Sequence, residues 1–204
     1  MVKVKICGIT NVEDARVAVA AGCDALGFLF YKNSPRYISV ADAKEIIKDI
    51  PKDIIKIGVF VDAKEKKIKQ TAKECGLDIL QFHGSESPAF CKKFKDYKII
   101  KVFRIKNKSS LKEVAKYKVF AYLFDTFSQT KLGGTGKKFN WGLLDQLGNL
   151  KQSIFLSGGL NAKNVQAAIK AVHPQWVDAS SSLESKPGKK DHKRLKNFIA
   201  AAKG

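Results

Sequence analysis

The chain has 204 residues, of which 45% are hydrophobic, so it can bury the core of one domain. It contains no run of roughly 18 apolar residues and no signal-peptide core, so we expect a cytoplasmic protein without a membrane partner. The net charge of +19 could indicate nucleic-acid binding, but the lysines are spread over many helical segments, which favours solvated helix surfaces and no nucleic-acid partner.

Eight apolar segments of strand length recur along the chain. They are residues 2–6, 25–31, 54–61, 78–83, 98–105, 119–126, 153–158 and 175–180. A segment with helical periodicity follows each of them: residues 11–22, 40–50, 63–76, 86–97, 109–118, 140–150, 161–172 and 191–203. This alternation predicts a parallel sheet. Eight uninterrupted units favour a single (β/α)₈ TIM barrel over residues 1–204, with an open doubly wound sheet as the alternative.

The four cysteines form no CxxC pair, so we expect reduced thiols and no metal site. Most fit the pattern of small buried apolar residues. Cys7 differs because it follows the first strand segment, and the active sites of such barrels lie at the carboxyl ends of their strands. Other polar residues occupy the same kind of position: Arg36, His83, Asp125 and Asp178.

Two segments near the C-terminus have the features of a phosphate site. Gly158 and Gly159 follow the seventh strand segment, and Asn161 is the expected N-cap of the next helix. Ser180 and Ser181 follow the eighth, with hydroxyl groups and backbone donors. A glycine pair alone is more often an ordinary turn. Together, the loops after strands seven and eight predict a phosphate site of the kind common in barrels.

The longest irregular stretch, residues 127–139, follows the sixth strand segment. It contains Gly133, Gly134 and Gly136. A long loop with several glycines at this end of a barrel is typical of a lid, so we expect it to close over the site.

Seven motifs in this order resemble those of the phosphoribosylanthranilate isomerase family: KICGIT, SPRYIS, QFHG, LFDT, GGTGKKFNW, LSGGLNAKNV and DASSSLESKPGKKDH. The similarity runs from end to end. It implies a TIM barrel that converts N-(5-phosphoribosyl)anthranilate into 1-(2-carboxyphenylamino)-1-deoxyribulose 5-phosphate in tryptophan biosynthesis. It also implies a phosphosugar as the only small-molecule partner, no cofactor, and a monomer or homodimer.

The resemblance implies that Cys7 is the general base, that Asp125 is the general acid, and that Arg36 binds the anthranilate carboxylate. The rearrangement independently needs one acid and one base on opposite sides of the sugar. A free thiol has a pKa of about 8.5 and an Asp about 3.9, so the thiolate needs stabilisation and the acid needs desolvation to keep its proton.

The alternation of side chains along the first strand segment suggests which residue stabilises the Cys7 thiolate. Side chains alternate along a strand, so if Cys7 points into the barrel, Lys5 does too. A buried lysine needs a partner, and Asp178 in the closing strand is our candidate. In the alternative interpretation, Lys5 forms a plain salt bridge without influence on Cys7. Asp178 would otherwise bind ribose hydroxyls, and His83 either lines the site or is structural.

The resemblance leaves competing functions to exclude. Other phosphosugar barrels, such as indole-glycerol-phosphate synthases, pentose-phosphate epimerases and a bifunctional histidine and tryptophan pathway isomerase, are the nearest enzymes. The histidine-pathway isomerases have Asp where this chain has Cys7, which disfavours them. A basic, non-catalytic nucleic-acid-binding protein is the alternative from another class. Ser182, where the family often has glycine, would be strained if its backbone φ were positive.

Overall fold

A computed structural model of the chain describes residues 1–105, 111–126, 141 and 151–204. Within them, eight parallel strands form a closed barrel in chain order. The strands are β1 (Lys3–Cys7), β2 (Ala25–Leu29), β3 (Ile55–Phe60), β4 (Ile79–Phe82), β5 (Lys98–Ile105), β6 (Ala121–Thr126), β7 (Ser153–Leu156) and β8 (Trp176–Ala179). The predicted barrel is confirmed. The open sheet is wrong, because β8 pairs with β1 and leaves no free edge.

Helices surround the barrel: α1 (Val12–Ala20), α2 (Val40–Ile47), α3 (Glu65–Cys75), α4 (Pro88–Cys91), α5 (Val165–Val172) and α6 (His192–Lys203). Several begin at capping side chains that accept a backbone N–H, namely Asn11, Ser39, Ser87 and Asp191. None of the described helices is both long and apolar enough to cross a membrane. The predicted helix 140–150 lies outside the described residues except for Trp141.

The structure corrects two predicted helices. Only α4 forms within residues 86–97, and the described part of the second segment, residues 111–118, contains a 3₁₀ helix, Val114–Lys116, and no α-helix. Three of the apolar residues here, Leu111, Val114 and Tyr117, have a spacing of three, which places them on one face of a 3₁₀ turn. Leu111 and Val114 are buried, and the Tyr117 hydroxyl donates to the backbone carbonyl of Glu86. Packing of these three side chains therefore selects the tighter helix.

A short antiparallel hairpin after β8 was not predicted. It consists of β9 (Glu184–Lys186) and β10 (Lys189–Lys190). Gly188 turns the chain with a φ of +82°, and a Cβ there would lie 3.0 Å from the Pro35 carbonyl oxygen. The hairpin therefore packs against the loop after β2, at the carboxyl end of the barrel.

The barrel interior is apolar over most of its length. Its side chains form one cluster: Ala25, Ile57, Ile79, Ile100, Val102, Ala121, Leu123, Phe155 and Trp176. Phe155 and Trp176 stack with ring centroids 4.8 Å apart. A second, larger cluster fills the layer between strands and helices. The apolar filling closes the interior below the carboxyl ends of the strands, so polar groups can meet only above it.

Candidate active site

The loops at the carboxyl ends of the strands enclose a cavity of about 430 Å³. Nine of the predicted site residues line it or its rim: Cys7, Arg36, His83, Asp125, Gly158, Gly159, Asp178, Ser180 and Ser181. The predicted lid residues Gly133, Gly134 and Gly136 lie outside the described residues. Among the residues that the structure describes, no group of three or more His, Cys, Asp and Glu side chains is arranged to hold a metal ion.

The predicted pair between Lys5 and Asp178 is present. The two residues are register partners in β1 and β8, and Lys5 Nζ donates to Asp178 Oδ1 at 2.7 Å. Lys5 is fully buried. Burial opposes its charge, but the Asp178 carboxylate and Cys7 outweigh burial and raise the pKa of Lys5. The second carboxylate oxygen of Asp178 accepts a hydrogen bond from Ser157 Oγ at 3.2 Å. Lys5 is therefore a fixed cation beneath the cavity.

Cys7 is partly exposed to the cavity, and its thiol responds to two opposing influences. Burial raises its pKa, and the Lys5 ammonium lowers it through its charge and a hydrogen bond. The Lys5 contribution has the predicted sign, which argues against a lysine without influence on Cys7. Burial, together with the charge of the Asp178 carboxylate, nevertheless outweighs it, so the pKa of the Cys7 thiol lies above its ordinary value.

Two glycines allow this close packing around Cys7. A Cβ at Gly27 would lie 2.9 Å from Cys7 Sγ and 3.2 Å from Lys5 Nζ. Gly8 has a φ of +76°, and its Cβ would lie 2.8 Å from Arg36 Cδ. Sequence reasoning missed both positions, because the need for glycine arises from side chains of neighbouring elements that approach them in the packed structure.

His83 lies beside the predicted acid. Its Nε2 atom is 3.6 Å from Asp125 Oδ2, and its Nδ1 atom is 3.5 Å from Gln81 Nε2. Arg104 Nη2 donates to the His83 carbonyl oxygen at 2.8 Å. Burial and the charge of Arg104, with smaller contributions from Lys5 and a further lysine, lower the pKa of His83 to about 3. The imidazole is therefore neutral near pH 7 and can form hydrogen bonds without adding charge to the site.

The low pKa of His83 predicts a pH-dependent loss of stability. Below about pH 6.5 the unfolded chain binds a proton at this imidazole, and the folded chain does not until the pH approaches 3. Lowering the pH from 7.5 to 4.5 should therefore decrease the free energy of unfolding of the wild type by about 2–3 kcal/mol more than that of His83→Gln. Urea unfolding at both pH values measures this difference.

A matched control is His173→Asn, which removes an exposed imidazole at a left-handed position that asparagine adopts readily. It retains His83, so it should lose more stability than His83→Gln between the two pH values. Equal losses in the wild type and in His83→Gln would contradict the buried neutral imidazole.

Arg36 belongs to a charged network that sequence reasoning missed. Its Nε and Nη2 atoms each donate to Glu184 at 2.7 Å. Lys190 Nζ donates to the same carboxylate at 3.1 Å and to the Cys7 carbonyl oxygen at 2.7 Å. Glu184 and Lys190 lie in the unpredicted hairpin β9–β10. The hairpin thus connects the predicted arginine with the strand end that carries Cys7.

The predicted phosphate loops lie side by side at the cavity. Gly158 and Gly159 have φ values of +93° and +68°, and among the described residues their N–H groups meet no backbone acceptor. Ser182 Oγ donates to the carbonyl oxygen of Leu160, which ties the two loops together. Ser182 has no positive φ, so the strain considered for it does not arise. These loops line the cavity and contain backbone donors without a backbone acceptor among the described residues, as an anion site requires.

The prediction that Asn161 caps the next helix is wrong. Helix α5 begins three residues later, with Asn164 at the N-cap position. Asn161 instead accepts the N–H of Lys163, and its own N–H donates to Asn164 Oδ1 at 2.9 Å. Both asparagine side chains donate to the Gly159 carbonyl oxygen. The two amides therefore fix the glycine loop instead of starting the helix.

The barrel and its polar cavity define a TIM-barrel enzyme with a small-molecule site at the carboxyl ends of its strands. A family model described as N-(5'phosphoribosyl)anthranilate (PRA) isomerase matches residues 4–201. The chain therefore belongs to the N-(5'-phosphoribosyl)anthranilate isomerase family, and it is an isomerase of tryptophan biosynthesis.

Individual relatives agree with the family model. An N-(5'-phosphoribosyl)anthranilate isomerase from Pelobacter propionicus is 49% identical over 203 residues, which cover 100% of this chain and 96% of that protein. A solved phosphoribosyl anthranilate isomerase from Thermotoga maritima is 42% identical, covers 100% of both chains and superposes with a TM-score of 0.95. Another solved isomerase, in complex with reduced 1-(o-carboxyphenylamino)-1-deoxyribulose 5-phosphate, is 41% identical over 100% of both chains, with a TM-score of 0.92.

Proposed function

We propose that the chain converts N-(5'-phosphoribosyl)anthranilate into 1-(2-carboxyphenylamino)-1-deoxyribulose 5-phosphate, with Cys7 as general base and Asp125 as general acid. The observation that carries this proposal is that both side chains line one cavity from different sides of the barrel, Cys7 from β1 and Asp125 from β6. A sugar between them would meet a proton donor on one side and a proton acceptor on the other.

The proposed chemistry assigns one proton transfer to each residue. Asp125 protonates the furanose ring oxygen, the C1–O bond breaks, and the aryl nitrogen forms a Schiff base with C1. The cationic nitrogen acidifies the proton on C2, and the Cys7 thiolate removes it to give an enolamine. The enolamine then tautomerises to the ketone. The Schiff-base cation also stabilises the nearby thiolate, which offsets the raised pKa of Cys7.

The two anionic groups of this substrate suit different parts of the cavity. The phosphate fits the loop of Gly158 and Gly159 together with Ser180 and Ser181, where N–H and hydroxyl donors face an anion. The aryl carboxylate fits Arg36, which is the only lysine or arginine among the described residues that line the cavity.

The remaining polar groups have supporting roles in this proposal. Asp178 holds Lys5 and faces the cavity, where it can accept a hydrogen bond from a ribose hydroxyl. Neutral His83 lines the wall beside Asp125. No cofactor takes part in the proposed reaction.

Replacement of Gly158 by alanine should weaken substrate binding through the phosphate loop. A side chain at a φ of +93° is strained by about 1–2 kcal/mol, and the loop can relieve this strain by turning its N–H groups. We expect KM to rise about tenfold in Gly158→Ala, with a smaller change in kcat. Steady-state kinetics measure both constants.

Gly22→Ala is a matched control, because Gly22 has a φ of +90° and nothing lies within 4 Å of its would-be Cβ. It should lose similar stability and keep the wild-type KM. An unchanged KM in Gly158→Ala would contradict the binding of the substrate phosphate by this loop.

The activity itself is tested by supplying fluorescent phosphoribosylanthranilate to the purified wild type and following its loss. Turnover supports the proposed substrate. Its absence would restrict the function to another substrate within the family's chemistry.

We also propose a cytoplasmic location and a monomer or homodimer. One solved relative from Thermotoga maritima is described as monomers generated from a dimeric enzyme; it is 40% identical over 100% of both chains, with a TM-score of 0.91. Sedimentation of this chain distinguishes the two assemblies.

A further inference from the structure

Arg36 is held by a two-point contact that is almost completely buried. Its Nε and Nη2 atoms each donate to one oxygen of Glu184 at 2.7 Å. The Glu184 side chain is 4% exposed and that of Arg36 is 16% exposed. A guanidinium bound in this way along one edge cannot rotate without losing both hydrogen bonds.

Lys190 completes the support from the other side. Its fully buried ammonium donates to Glu184 at 3.1 Å, to the Cys7 carbonyl oxygen at 2.7 Å and to the Ser180 carbonyl oxygen at 3.3 Å. Burial works against the charge of Glu184, but Arg36 and Lys190 outweigh burial and lower the pKa of this carboxyl group. The hairpin thus brings an ionised carboxylate to the rim of the cavity and fastens it to the ends of β1 and β8.

This contact leaves a defined part of Arg36 for a ligand. A guanidinium has five N–H donors, and Glu184 takes one on Nε and one on Nη2. The three others, on Nη1 and Nη2, meet no acceptor among the described side chains and backbone groups. Two of them form the end of the fork, which can bind a second carboxylate at two points.

We propose that Glu184 is a specificity-determining positioning residue, which fixes the Arg36 guanidinium so that the end of its fork selects a substrate with an aryl carboxylate. This inference rests on the proposed function for the identity of the substrate. Glu184 touches Arg36 and not the reacting atoms, so it acts on the choice of ligand and not on proton transfer.

Charge and orientation make opposite predictions for Glu184→Gln. Together, the side chains of Arg36, Glu184 and Lys190 have a net charge of +1. In Glu184→Gln this net charge becomes +2. If long-range charge governed binding, a carboxylate ligand would bind more tightly to the variant. If orientation governs it, the variant loses one strong acceptor for Arg36 and binds the carboxylate more weakly. The sign of the change therefore distinguishes the two explanations.

The experiment compares two ligands that differ by one group. They are reduced 1-(o-carboxyphenylamino)-1-deoxyribulose 5-phosphate and its phenyl counterpart without the carboxylate, and calorimetry measures their Kd values. We expect Glu184→Gln to weaken the carboxylate ligand about tenfold and the phenyl ligand less than about twofold. Equal losses for both ligands, or tighter binding of the carboxylate ligand, would overturn the proposal.

Glu86→Gln is the matched structural control. Glu86 forms an equally buried ion pair, with Lys101 Nζ at 2.8 Å, and does not line the cavity. Its replacement should affect the two ligands equally, if at all. If Glu184→Gln does not fold, Glu184→Asp keeps the charge and shortens the side chain, and it should show the same carboxylate-selective loss.

The proposed function can fail independently of this inference. Turnover of phosphoribosylanthranilate by the wild type is measured separately from binding. A wild type without turnover, together with a carboxylate-selective loss in Glu184→Gln, would contradict the reaction and retain the role of Glu184. Wild-type turnover without any selectivity between the two ligands would retain the reaction and contradict the role.

Discussion

Replacement of Cys7 by serine is expected to lower kcat by about 10²–10⁴-fold, the range for loss of a general acid or base. A hydroxyl group occupies nearly the same volume but ionises far less readily than a thiol, so the proton on C2 loses its acceptor. The Lys5 ammonium stays in place, because it is paired with Asp178 and not only with the thiol. The Kd of the reduced product analogue should remain close to that of the wild type, because the donors for its anionic groups are unchanged.

A substrate with deuterium at C2 shows which step is impaired. In Cys7→Ser, proton removal from C2 becomes the slow step, so the isotope effect on kcat should exceed that of the wild type. Cys75→Ser is the control, since this buried cysteine lies on α3 outside the cavity. It should lose stability and keep the wild-type isotope effect. Near wild-type turnover by Cys7→Ser would exclude the thiolate as the base.

The barrel and the positions of Cys7 and Asp125 at strand ends were accessible to sequence reasoning because both follow from local periodicity, whereas the resemblance to the family supplied their proposed roles as base and acid. Alternation of strand and helix segments predicts the parallel sheet, and eight repeats predict closure. Closure makes the first and last strands neighbours, and the two-residue period of a strand then places Lys5 opposite Asp178. The contact between Lys5 and Asp178 can therefore be predicted without the positions of the helices.

Glu184 and Lys190 could not be found in the same way. Glu184 contacts Arg36 across 148 residues of sequence, and both Glu184 and Lys190 lie between β8 and α6, outside the regular strand and helix segments. Their position depends on a hairpin with two residue pairs, whose strands are too short to show alternation. Nothing local marks the segment as part of the site, so only the packed structure relates it to Cys7.

The capping error at Asn161 and the balance at Cys7 have related causes. The sequence correctly predicts a helix after the glycine loop. The side-chain amides of Asn161 and Asn164, however, both donate to the Gly159 carbonyl oxygen. At Cys7, sequence parity gives the sign of the Lys5 effect, whereas the opposing effect of burial depends on how closely the loops pack above the thiol. Both outcomes are decided by tertiary packing.

Replacement of Asp125 by asparagine is expected to lower kcat by about 10²–10⁴-fold for a different reason. An amide keeps the shape of the side chain but has no acidic proton for the ring oxygen, so ring opening becomes the slow step. The isotope effect of C2-deuterated substrate should therefore fall toward unity, opposite to its change in Cys7→Ser. This opposition separates the acid from the base within one assay.

The pH dependence of the residual rate tests this change of slow step. In the wild type, proton removal by Cys7 contributes a rise of kcat/KM through the neutral and mildly alkaline range, because the thiolate fraction increases as pH rises toward the raised pKa of Cys7. In Asp125→Asn the slow ring opening precedes this proton removal, so the residual kcat/KM should not follow the thiolate fraction. Asp78→Asn is the control, because Asp78 precedes β4 at the opposite end of the barrel, where it pairs with Lys56 at 2.9 Å. It should keep the wild-type pH profile, and a residual rate in Asp125→Asn that still rises with the thiolate fraction would contradict ring opening as the slow step.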